Sequence, residues 1–263
     1  MTGRAIMGET HHGWDAWEEH AYGVIVPYDF ALDREIWRWV PDNISLLLTR
    51  TAFHPMSSSV EMAELISTDE TLHASTSNLL AAEPEVVVYL CASGSFVRGV
   101  PGEAAMREQM LAAGAPKAVT TSGALLEALG HLGIEKLAVA TPYVPSLTLR
   151  LHMFLEEAGV QVLSGRELGL GERIWRVTGP TVHDLAVAAD HPDADAVFIS
   201  CTNLGTYGVI APLEAALGKP VLTANQVSMW AAMRAAGATI EPNGQRLFDS
   251  AVTYPPSTLA TAV

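Results

Sequence analysis

Cys91 and Cys201 are the only two cysteines of the 263-residue chain. Each ends an apolar run, the first in Glu85–Ser95 (EVVVYLCASGS) and the second in Asp195–Leu204 (DAVFISCTNL). Such continuous runs rich in β-branched residues predict strands buried on both faces of a parallel sheet. A cysteine that ends such a strand lies at the carboxyl edge of the sheet, where open α/β folds bind their ligands. A thiol there also faces the N-terminus of the next helix, whose N–H groups stabilise a thiolate and bind anions.

The alternative interpretation is that both cysteines are core residues, because free cysteine is among the most buried residue types. For either cysteine alone, that interpretation is favoured. The pair stands at matching strand ends, and each member is followed by small or polar residues. These two features together favour a shared functional role.

The elements that must position the cysteines alternate between strands and helices with short connections, which is typical of a parallel sheet. In the first half, the predicted strands are Tyr22–Pro27, Ile44–Arg50, the Cys91 strand and Ala118–Thr121. The predicted helices there are a stretch from Arg34 to Trp39, then Val60–Ile66, Glu70–Ala82, Glu103–Ala113 and Ala124–His131. The second half has predicted strands at Lys136–Tyr143, Val160–Arg166, the Cys201 strand and Lys219–Asn225, and a helix at Gln226–Ala236.

The second half repeats the first in order. A Pro-Tyr pair, an arginine, a cysteine and a lysine each recur after 102 to 116 residues. This repetition indicates an internal duplication. We therefore predict an α/β fold of two pseudo-symmetric parallel-sheet lobes, with the active site in the cleft between the carboxyl edges of their sheets. The predicted division is a polar N-terminal arm (1–20, with a short helix at 14–19), a first lobe (21–132, completed by 226–263) and a second lobe (133–225).

Composition excludes several classes of protein. The net charge of −14 argues against nucleic acid and anionic membranes as partners. No apolar run has the length of a transmembrane helix and the first twenty residues carry no secretory signal, so we expect a cytoplasmic protein with free thiols. The nine histidines lack ligand spacing, and no P-loop or dinucleotide fingerprint is present, so we expect neither metal nor cofactor. An anionic substrate would then be held by neutral N–H and hydroxyl donors.

Three short motifs accompany the cysteines: CTNL at Cys201–Leu204, TPY at Thr141–Tyr143, and NQ at Asn225–Gln226, which opens a helix containing Trp230. With them, the chain resembles the aspartate/glutamate racemase superfamily and, within it, the branch of maleate isomerases and arylmalonate decarboxylases. The resemblance covers about residues 22–240. It implies a cofactor-free site at the lobe interface that acts on small carboxylates, at the carbon next to a carboxyl group.

The resemblance also implies a division of labour between the thiols. In maleate isomerases the first cysteine adds to the double bond and the second handles the proton, whereas in racemases two thiols work on opposite faces of one carbon. In arylmalonate decarboxylases the first position is glycine and the second cysteine donates the proton. Because Cys91 is present here, the isomerase or racemase arrangement is favoured.

By the same resemblance, Cys91 and Cys201 are the catalytic pair and Tyr143 hydrogen-bonds a substrate carboxylate. Further carboxylate donors, from hydroxyl, amide and backbone groups, are expected at Ala92, Ser93, Ser95, Thr202 and Asn203. Neutral donors of this kind also stabilise the enolate-like charge that develops when a bond to the α-carbon breaks.

Two departures from the family pattern concern substrate binding. Maleate isomerases have V-P-S-S-N after the first strand, where this chain has Val26–Phe30 (VPYDF), so that Asp29 would occupy the place of the asparagine. A carboxylate about 4 Å from a substrate carboxylate costs about 4 kcal/mol at an effective dielectric of 20. Asp29 therefore turns away, is protonated, or faces an amino, amide or hydroxyl group of the substrate. In Leu170–Ile174 (LGERI), Glu172 and Arg173 stand where relatives often have an asparagine.

The predicted function is a cofactor-independent cis-trans isomerase, similar to maleate isomerase, or a racemase, acting on a small carboxylate or dicarboxylate in a homo-oligomer (dimer or tetramer). The first alternative is an arylmalonate-type decarboxylase in which Cys201 alone donates the proton. The second alternative is a small-carboxylate binding protein that has the two-lobed fold without turnover.

Overall fold

The computed structural model describes residues 20–250, which form two parallel four-stranded sheets flanked by helices. The strands of the first sheet are β1 (His20–Val26), β2 (Ile44–Arg50), β3 (Val86–Tyr89) and β4 (Ala118–Thr120). Those of the second sheet are β5 (Lys136–Tyr143), β6 (Gln161–Leu170), β7 (Ala196–Ile199) and β8 (Val221–Thr223). Each strand corresponds to a predicted one, and the predicted fold class is confirmed.

The helices of the described residues lie between and after these strands. In the first half they are α1 (Asp33–Ile36), α2 (Val60–Leu65), α3 (Asp69–Leu80), α4 (Ala92–Phe96), α5 (Gly99–Ala112) and α6 (Thr121–Leu132). In the second half they are α7 (Pro145–Glu157), α8 (Gly179–Ala189), α9 (Tyr207–Leu217), α10 (Ala224–Ala236) and α11 (Arg246–Ser250). Within residues 20–250, none of the helices combines the length and the apolar character needed to cross a membrane.

The two sheets have the same strand order, β2-β1-β3-β4 and β6-β5-β7-β8. In the first sheet Tyr22 of β1 lies opposite Val86 of β3, and in the second Leu137 of β5 lies opposite Ala196 of β7. Both β3 and β7 are fully buried, as expected for central strands of a parallel sheet covered on both faces. Each cysteine therefore follows a strand with the same neighbours in its sheet.

The duplication extends to the way in which helices begin. The Thr120 hydroxyl accepts a hydrogen bond of 3.0 Å from the Gly123 N–H and caps α6. The Thr223 hydroxyl accepts one of 3.4 Å from the Gln226 N–H and caps α10, where the Gln226 side chain completes a capping box. Each threonine is the last residue of the fourth strand of its sheet, so the same cap begins the helix that follows this strand in each lobe.

Several elements differ from the predictions, and one of them is α6, which begins at Thr121, before the predicted Ala124. Helix α4 begins directly after Cys91, where the sequence ASGSF has no helical period of apolar residues that could have predicted it. Helix α5 begins at Gly99, before the predicted Glu103. Strand β6 continues to Leu170, four residues beyond the predicted end at Arg166.

Helix α10 connects the two halves, because it follows the last strand of the second sheet and packs on α6, β3 and β4 of the first. The Ser228 hydroxyl donates to the Thr121 hydroxyl over 3.0 Å, and Arg234 forms an ion pair with Glu127 over 3.0 Å. The predicted N-terminal arm, except for His20, and the end of the chain from residue 251 lie outside the described residues.

Candidate active site

Cys91 is the N-cap residue of α4. Its backbone is extended, with φ of −151°, and its Sγ accepts a hydrogen bond from the Gly94 N–H at 3.4 Å. The Ser93 hydroxyl lies 3.6 Å from the same sulfur. The thiol thus stands where a serine or aspartate oxygen usually caps a helix. It is fixed at the start of a helix and only 3% of the residue is exposed.

Gly94 permits this turn, since a Cβ at that position would collide with the Tyr89 hydroxyl. That hydroxyl donates to the carbonyl of Ile66 at 3.0 Å and also lowers the pKa of Cys91 by hydrogen bonding. The close approach of a tyrosine to the helix backbone therefore requires a residue without a side chain.

Cys201 has the corresponding place after β7 but a different backbone. Its φ of +97° lies in the left-handed region, which non-glycine residues rarely adopt. Its Sγ accepts a hydrogen bond from the Asn203 N–H at 3.4 Å, and the next helix, α9, begins only at Tyr207. Only 8% of Cys201 is exposed. A strained residue that the surrounding structure holds in place is frequent at functional sites.

Tyr143, at the end of β5, lies beside Cys201. Its hydroxyl accepts a hydrogen bond of 3.3 Å from Ser200, and hydrogen bonding to Tyr143 lowers the pKa of Cys201. Burial holds the pKa of Tyr143 well above its usual range, so its proton stays available for donation. The tyrosine ring packs edge-on against Phe96 of α4, with ring centroids 6.0 Å apart, so it sits where the two lobes meet.

The two thiols influence each other electrostatically. Burial raises the pKa of Cys91 above its usual value and that of Cys201 to about 12. Negative charge at Cys91 raises the pKa of Cys201 further, and the Asp29 carboxylate raises the pKa of both. These couplings place the three groups within electrostatic range of one another. Both thiols are protonated at neutral pH in the unliganded protein.

Asn203 ties the Cys201 turn to the loop after β1. Its side-chain carbonyl accepts a hydrogen bond from the Ala31 N–H at 3.0 Å, and its amide group donates to the Asp29 carbonyl at 3.2 Å. The predicted carboxylate donor is thus occupied by a contact between the lobes. Its backbone N–H supports the second thiol.

The structure corrects the prediction for Ser95. Its hydroxyl is buried and bonds the carbonyls of Cys91 and Ala92 at 2.8 and 2.9 Å, as well as the Ser122 hydroxyl at 2.7 Å. A serine inside a helix commonly bonds back to carbonyls three and four residues earlier. Ser95 therefore stabilises the turn of Cys91 and offers no donor to a substrate.

The remaining predicted donors still have hydroxyl or N–H groups that could donate to a carboxylate. Ser93 is half-buried, and among residues 20–250 its hydroxyl hydrogen-bonds only the Cys91 thiol. The Thr202 hydroxyl makes no hydrogen bond with any residue in the range 20–250, while its carbonyl accepts from Asn225 at 3.0 Å. The N–H groups of Ala92 and Ser93 belong to the first turn of α4, where no helix carbonyl can reach them. Neutral donors thus stand beside each thiol.

A loop of the first lobe, residues 51–59, crosses to the second lobe above Tyr28. The Ser58 N–H donates to the Gly171 carbonyl at 2.7 Å, and the Ser57 hydroxyl donates to Glu172 at 3.0 Å. The Tyr28 hydroxyl donates to the Met56 carbonyl at 3.0 Å. Glu172, in the region where relatives often have an asparagine, therefore holds this loop. These contacts connect the loop to the second lobe.

Sequence reasoning missed the role of Glu35. One oxygen of its carboxylate accepts hydrogen bonds from the N–H and hydroxyl of Thr206 at 2.8 and 3.0 Å, from the Tyr207 N–H at 3.3 Å, and from Asn225 at 3.4 Å. Glu35 thus anchors the loop that follows Cys201 from the other lobe. No local pattern could reveal this contact, since its partners lie more than 170 residues away in the chain.

Neither a group of metal ligands nor a separate cavity indicates a different active site among the described residues. The range 20–250 contains no group of three histidine, cysteine or acidic side chains that could hold a metal ion. A cavity of about 860 Å³ is lined by residues of α5, β4 and α6 and by neither cysteine.

Comparisons with known proteins agree with this architecture. The family model described as arylmalonate decarboxylase matches residues 58–248. Arylmalonate decarboxylase from Bordetella bronchiseptica is 36% identical over 170 residues, which cover 62% of this chain and 71% of that protein. A maleate isomerase from Nocardia farcinica is 31% identical over 184 residues, 65% of this chain and 73% of that protein.

Among solved structures, a liganded double variant of arylmalonate decarboxylase superposes with a TM-score of 0.80 at 31% identity, covering 88% of this chain and 99% of that one. The fold and the paired thiols define the class of protein: a two-lobed α/β protein of the aspartate/glutamate racemase type. Within that class, the chain belongs to the arylmalonate decarboxylase family, whose branch includes maleate isomerases. The named relatives are enzymes that act on small carboxylic acids.

Proposed function

We propose that this protein is a cofactor-independent isomerase or racemase of a small carboxylic acid, with Cys91 and Cys201 as the catalytic pair. The observation that supports it most strongly is the pair of buried thiols at equivalent strand ends, close enough for charge on one to raise the pKa of the other. Two such thiols can contact one small substrate from two sides.

For a cis-trans isomerisation, Cys91 is the nucleophile. Its thiol first releases its proton to solvent. The resulting thiolate forms a C–S bond to one alkene carbon, and the alkene electron pair moves to the neighbouring carboxylate as an enolate. The former double bond then rotates as a single bond. Return of the electron pair reforms the alkene and expels the thiolate. Hydrogen bonds from Gly94, Ser93 and Tyr89 lower the pKa of Cys91 and oppose the effect of burial, which favours this role.

Cys201 is the proton-transfer partner. With a pKa of about 12, it holds its proton throughout the physiological range and can deliver it to carbon where an enolate forms. In the isomerisation, this proton returns from carbon to the Cys201 sulfur before the alkene reforms. Tyr143, Ser93, Thr202 and the N–H groups at the start of α4 bind carboxylate. They stabilise the negative charge of the intermediate without any cation. In a racemase, the same two thiols would remove and return a proton on opposite faces of one carbon.

A structure of one relative supports covalent chemistry in this branch. A cysteine-to-serine variant of the Nocardia farcinica maleate cis-trans isomerase holds a covalently bound succinylcysteine intermediate. At 23% identity and a TM-score of 0.78, that structure shares the fold with this chain. This relative supports a cysteine as the nucleophile in this fold.

A decarboxylase is the second candidate, favoured by a different observation. Arylmalonate decarboxylase from Bordetella bronchiseptica has 36% identity to the chain, against 31% for the Nocardia farcinica maleate isomerase. In this reaction the C–C bond to one carboxylate breaks, carbon dioxide leaves, and the enolate takes a proton from Cys201. Cys91 would then be dispensable.

Single alanine variants of the two cysteines separate these functions. Solvent deuterium incorporation, maleate isomerisation and carbon dioxide release from phenylmalonate are measured for each variant, with circular dichroism as the folding control. For an isomerase or racemase, Cys91→Ala and Cys201→Ala each lower turnover at least about 1000-fold, since the two groups act as a unit. Full activity in Cys91→Ala with loss in Cys201→Ala would establish the decarboxylase. Substrate binding without turnover in the unmodified protein would indicate a binding protein.

A further inference from the structure

Asp29 stands at the same sheet edge as the first thiol. It lies in the loop after β1, and β1 is the direct neighbour of β3, which leads into Cys91. The two strands stay paired up to their ends, where the Leu90 N–H donates to the Ile25 carbonyl at 2.8 Å. The loop after β1 and the turn of Cys91 therefore emerge side by side.

The second thiol approaches Asp29 from the other lobe through Asn203. The Asn203 amide group donates to the Asp29 carbonyl at 3.2 Å, while the Asn203 N–H donates to the Cys201 sulfur at 3.4 Å. One residue thus contacts both Asp29 and Cys201. This contact fixes the backbone of Asp29 in the cleft, and the charge of its carboxylate reaches both thiols.

No cation of residues 20–250 forms an ion pair with this carboxylate. Among the ion pairs formed between residues 20 and 250, none includes Asp29. Arg50, in the neighbouring strand β2, is committed to Asp33 at 2.9 Å and to the Phe30 carbonyl at 3.2 Å. The cleft therefore contains one half-buried carboxylate among otherwise neutral donors.

We propose that Asp29 is a specificity-determining residue that selects an acid with one carboxylate and a nearby hydrogen-bond donor, such as an amide, hydroxyl or ammonium group, over a dicarboxylate dianion. The inference rests on the proposed function, because it takes a small carboxylate in this cleft as the ligand. One carboxylate of the ligand binds the neutral donors. Its donor group faces Asp29, which accepts the hydrogen bond. A second carboxylate in that place would meet like charge in a site with little water to screen it.

The test compares two ligands of nearly the same shape, maleate and its monoamide, by calorimetry at about pH 8. The unmodified protein binds the monoamide about 100-fold more tightly than maleate, as expected for removal of one close charge repulsion. In Asp29→Asn the ratio falls to about 3-fold or reverses. Asp33→Asn is the matched control, since Asp33 belongs to the same segment but pairs with Arg50, and it keeps the original ratio.

Asp29→Ser provides the same comparison if the asparagine variant does not fold. The inference would be overturned if the unmodified protein bound both ligands equally or preferred maleate. It would also be overturned if the preference for the monoamide survived in both Asp29 variants. The cysteine variants would still test the proposed function. Failure of both ligands to bind the unmodified protein and the Asp29 variants would count against the inference and the proposed function together.

Discussion

The turns of Cys91 and Cys201 follow the same pattern in sequence but are stabilised differently. The Cys91 turn is supported from within its own lobe, by α4 and by the buried hydroxyls of Ser95 and Ser122. The Cys201 turn has no helix directly after it. Besides the Asn225 contact within its own lobe, it takes support from the other lobe, through Glu35 and through the Asn203 contacts to the loop after β1. The first thiol is thus held locally, and the second depends on the lobe interface.

The tyrosines of the two Pro-Tyr pairs also differ in their burial and their contacts. Tyr143 is buried, and its hydroxyl hydrogen-bonds Ser200 beside Cys201. Tyr28, at the equivalent place after β1, is half-buried, packs edge-on against Phe53 and donates to the Met56 carbonyl of the loop 51–59. One copy of the duplicated tyrosine lies beside a thiol, and the other contacts the loop 51–59. Duplication supplied two equivalent positions, and the contacts around each decided its use.

The largest expected difference between the two turns is in thiol reactivity. In Cys91→Ala, alkylation of Cys201 by iodoacetamide should accelerate about tenfold per pH unit from pH 7 to pH 10, about 1000-fold in all. The thiolate is the reactive form and, with a pKa of about 12, its fraction increases throughout this range. Mass spectrometry of the labelled peptide gives the rate.

Adding Tyr143→Phe to this variant should slow Cys201 labelling at each pH, because it removes a hydrogen bond that lowers the thiol pKa. A plateau in the rate below about pH 9 would contradict the picture of a strongly buried second thiol. Labelling of Cys91 in Cys201→Ala serves as the comparison.

The next largest effect concerns Glu35. Glu35→Ala should lower the free energy of unfolding by about 2–3 kcal/mol, because the donors of Thr206, Tyr207 and Asn225 lose their shared acceptor. Ser122→Ala, which removes one neutral hydrogen bond beside the Cys91 turn, should cost about 1 kcal/mol. Urea unfolding measures both values.

Glu35→Gln, which keeps an acceptor oxygen, should recover part of the stability. If the alanine variants of Glu35 and Ser122 lost equal amounts of stability, the stronger dependence of the second turn on the lobe interface would be disproved. Labelling of Cys201 should also become faster in Glu35→Ala, because the loop after this thiol is no longer anchored.

The smallest expected effect compares glycine with alanine at each cysteine. At position 201 the φ of +97° favours glycine, so Cys201→Gly should be about 1 kcal/mol more stable than Cys201→Ala. At position 91 the extended backbone favours alanine, so the order should be inverted. Thermal unfolding of the four variants provides the test, and the same order at both positions would refute the difference in strain.

Much of the fold could be predicted from the sequence. Most strands of residues 20–250 are short apolar runs, and the parallel arrangement follows from their alternation with helices. Strand β6 is an exception, because its ten residues include Ser164, Arg166 and Glu167. The pairing of Cys91 with Cys201 could be inferred because a duplication places equivalent strand ends at equivalent sheet edges. Helix α4 could not be predicted, since its five residues begin at a thiol cap and carry no apolar period.

The roles of the polar residues around the thiols were decided by the tertiary structure. Residue type identified Ser95 and Asn203 as donors, but packing turned one toward helix carbonyls and the other toward the opposite lobe. The sequence contained no signal for the role of Glu35. For Asp29 it left several interpretations of its orientation, protonation and partner open. The physical reason is the range of the interactions. Hydrophobic periodicity depends on residues that are close together in the sequence. The environment of a buried polar group depends on atoms of residues that lie far away in the chain.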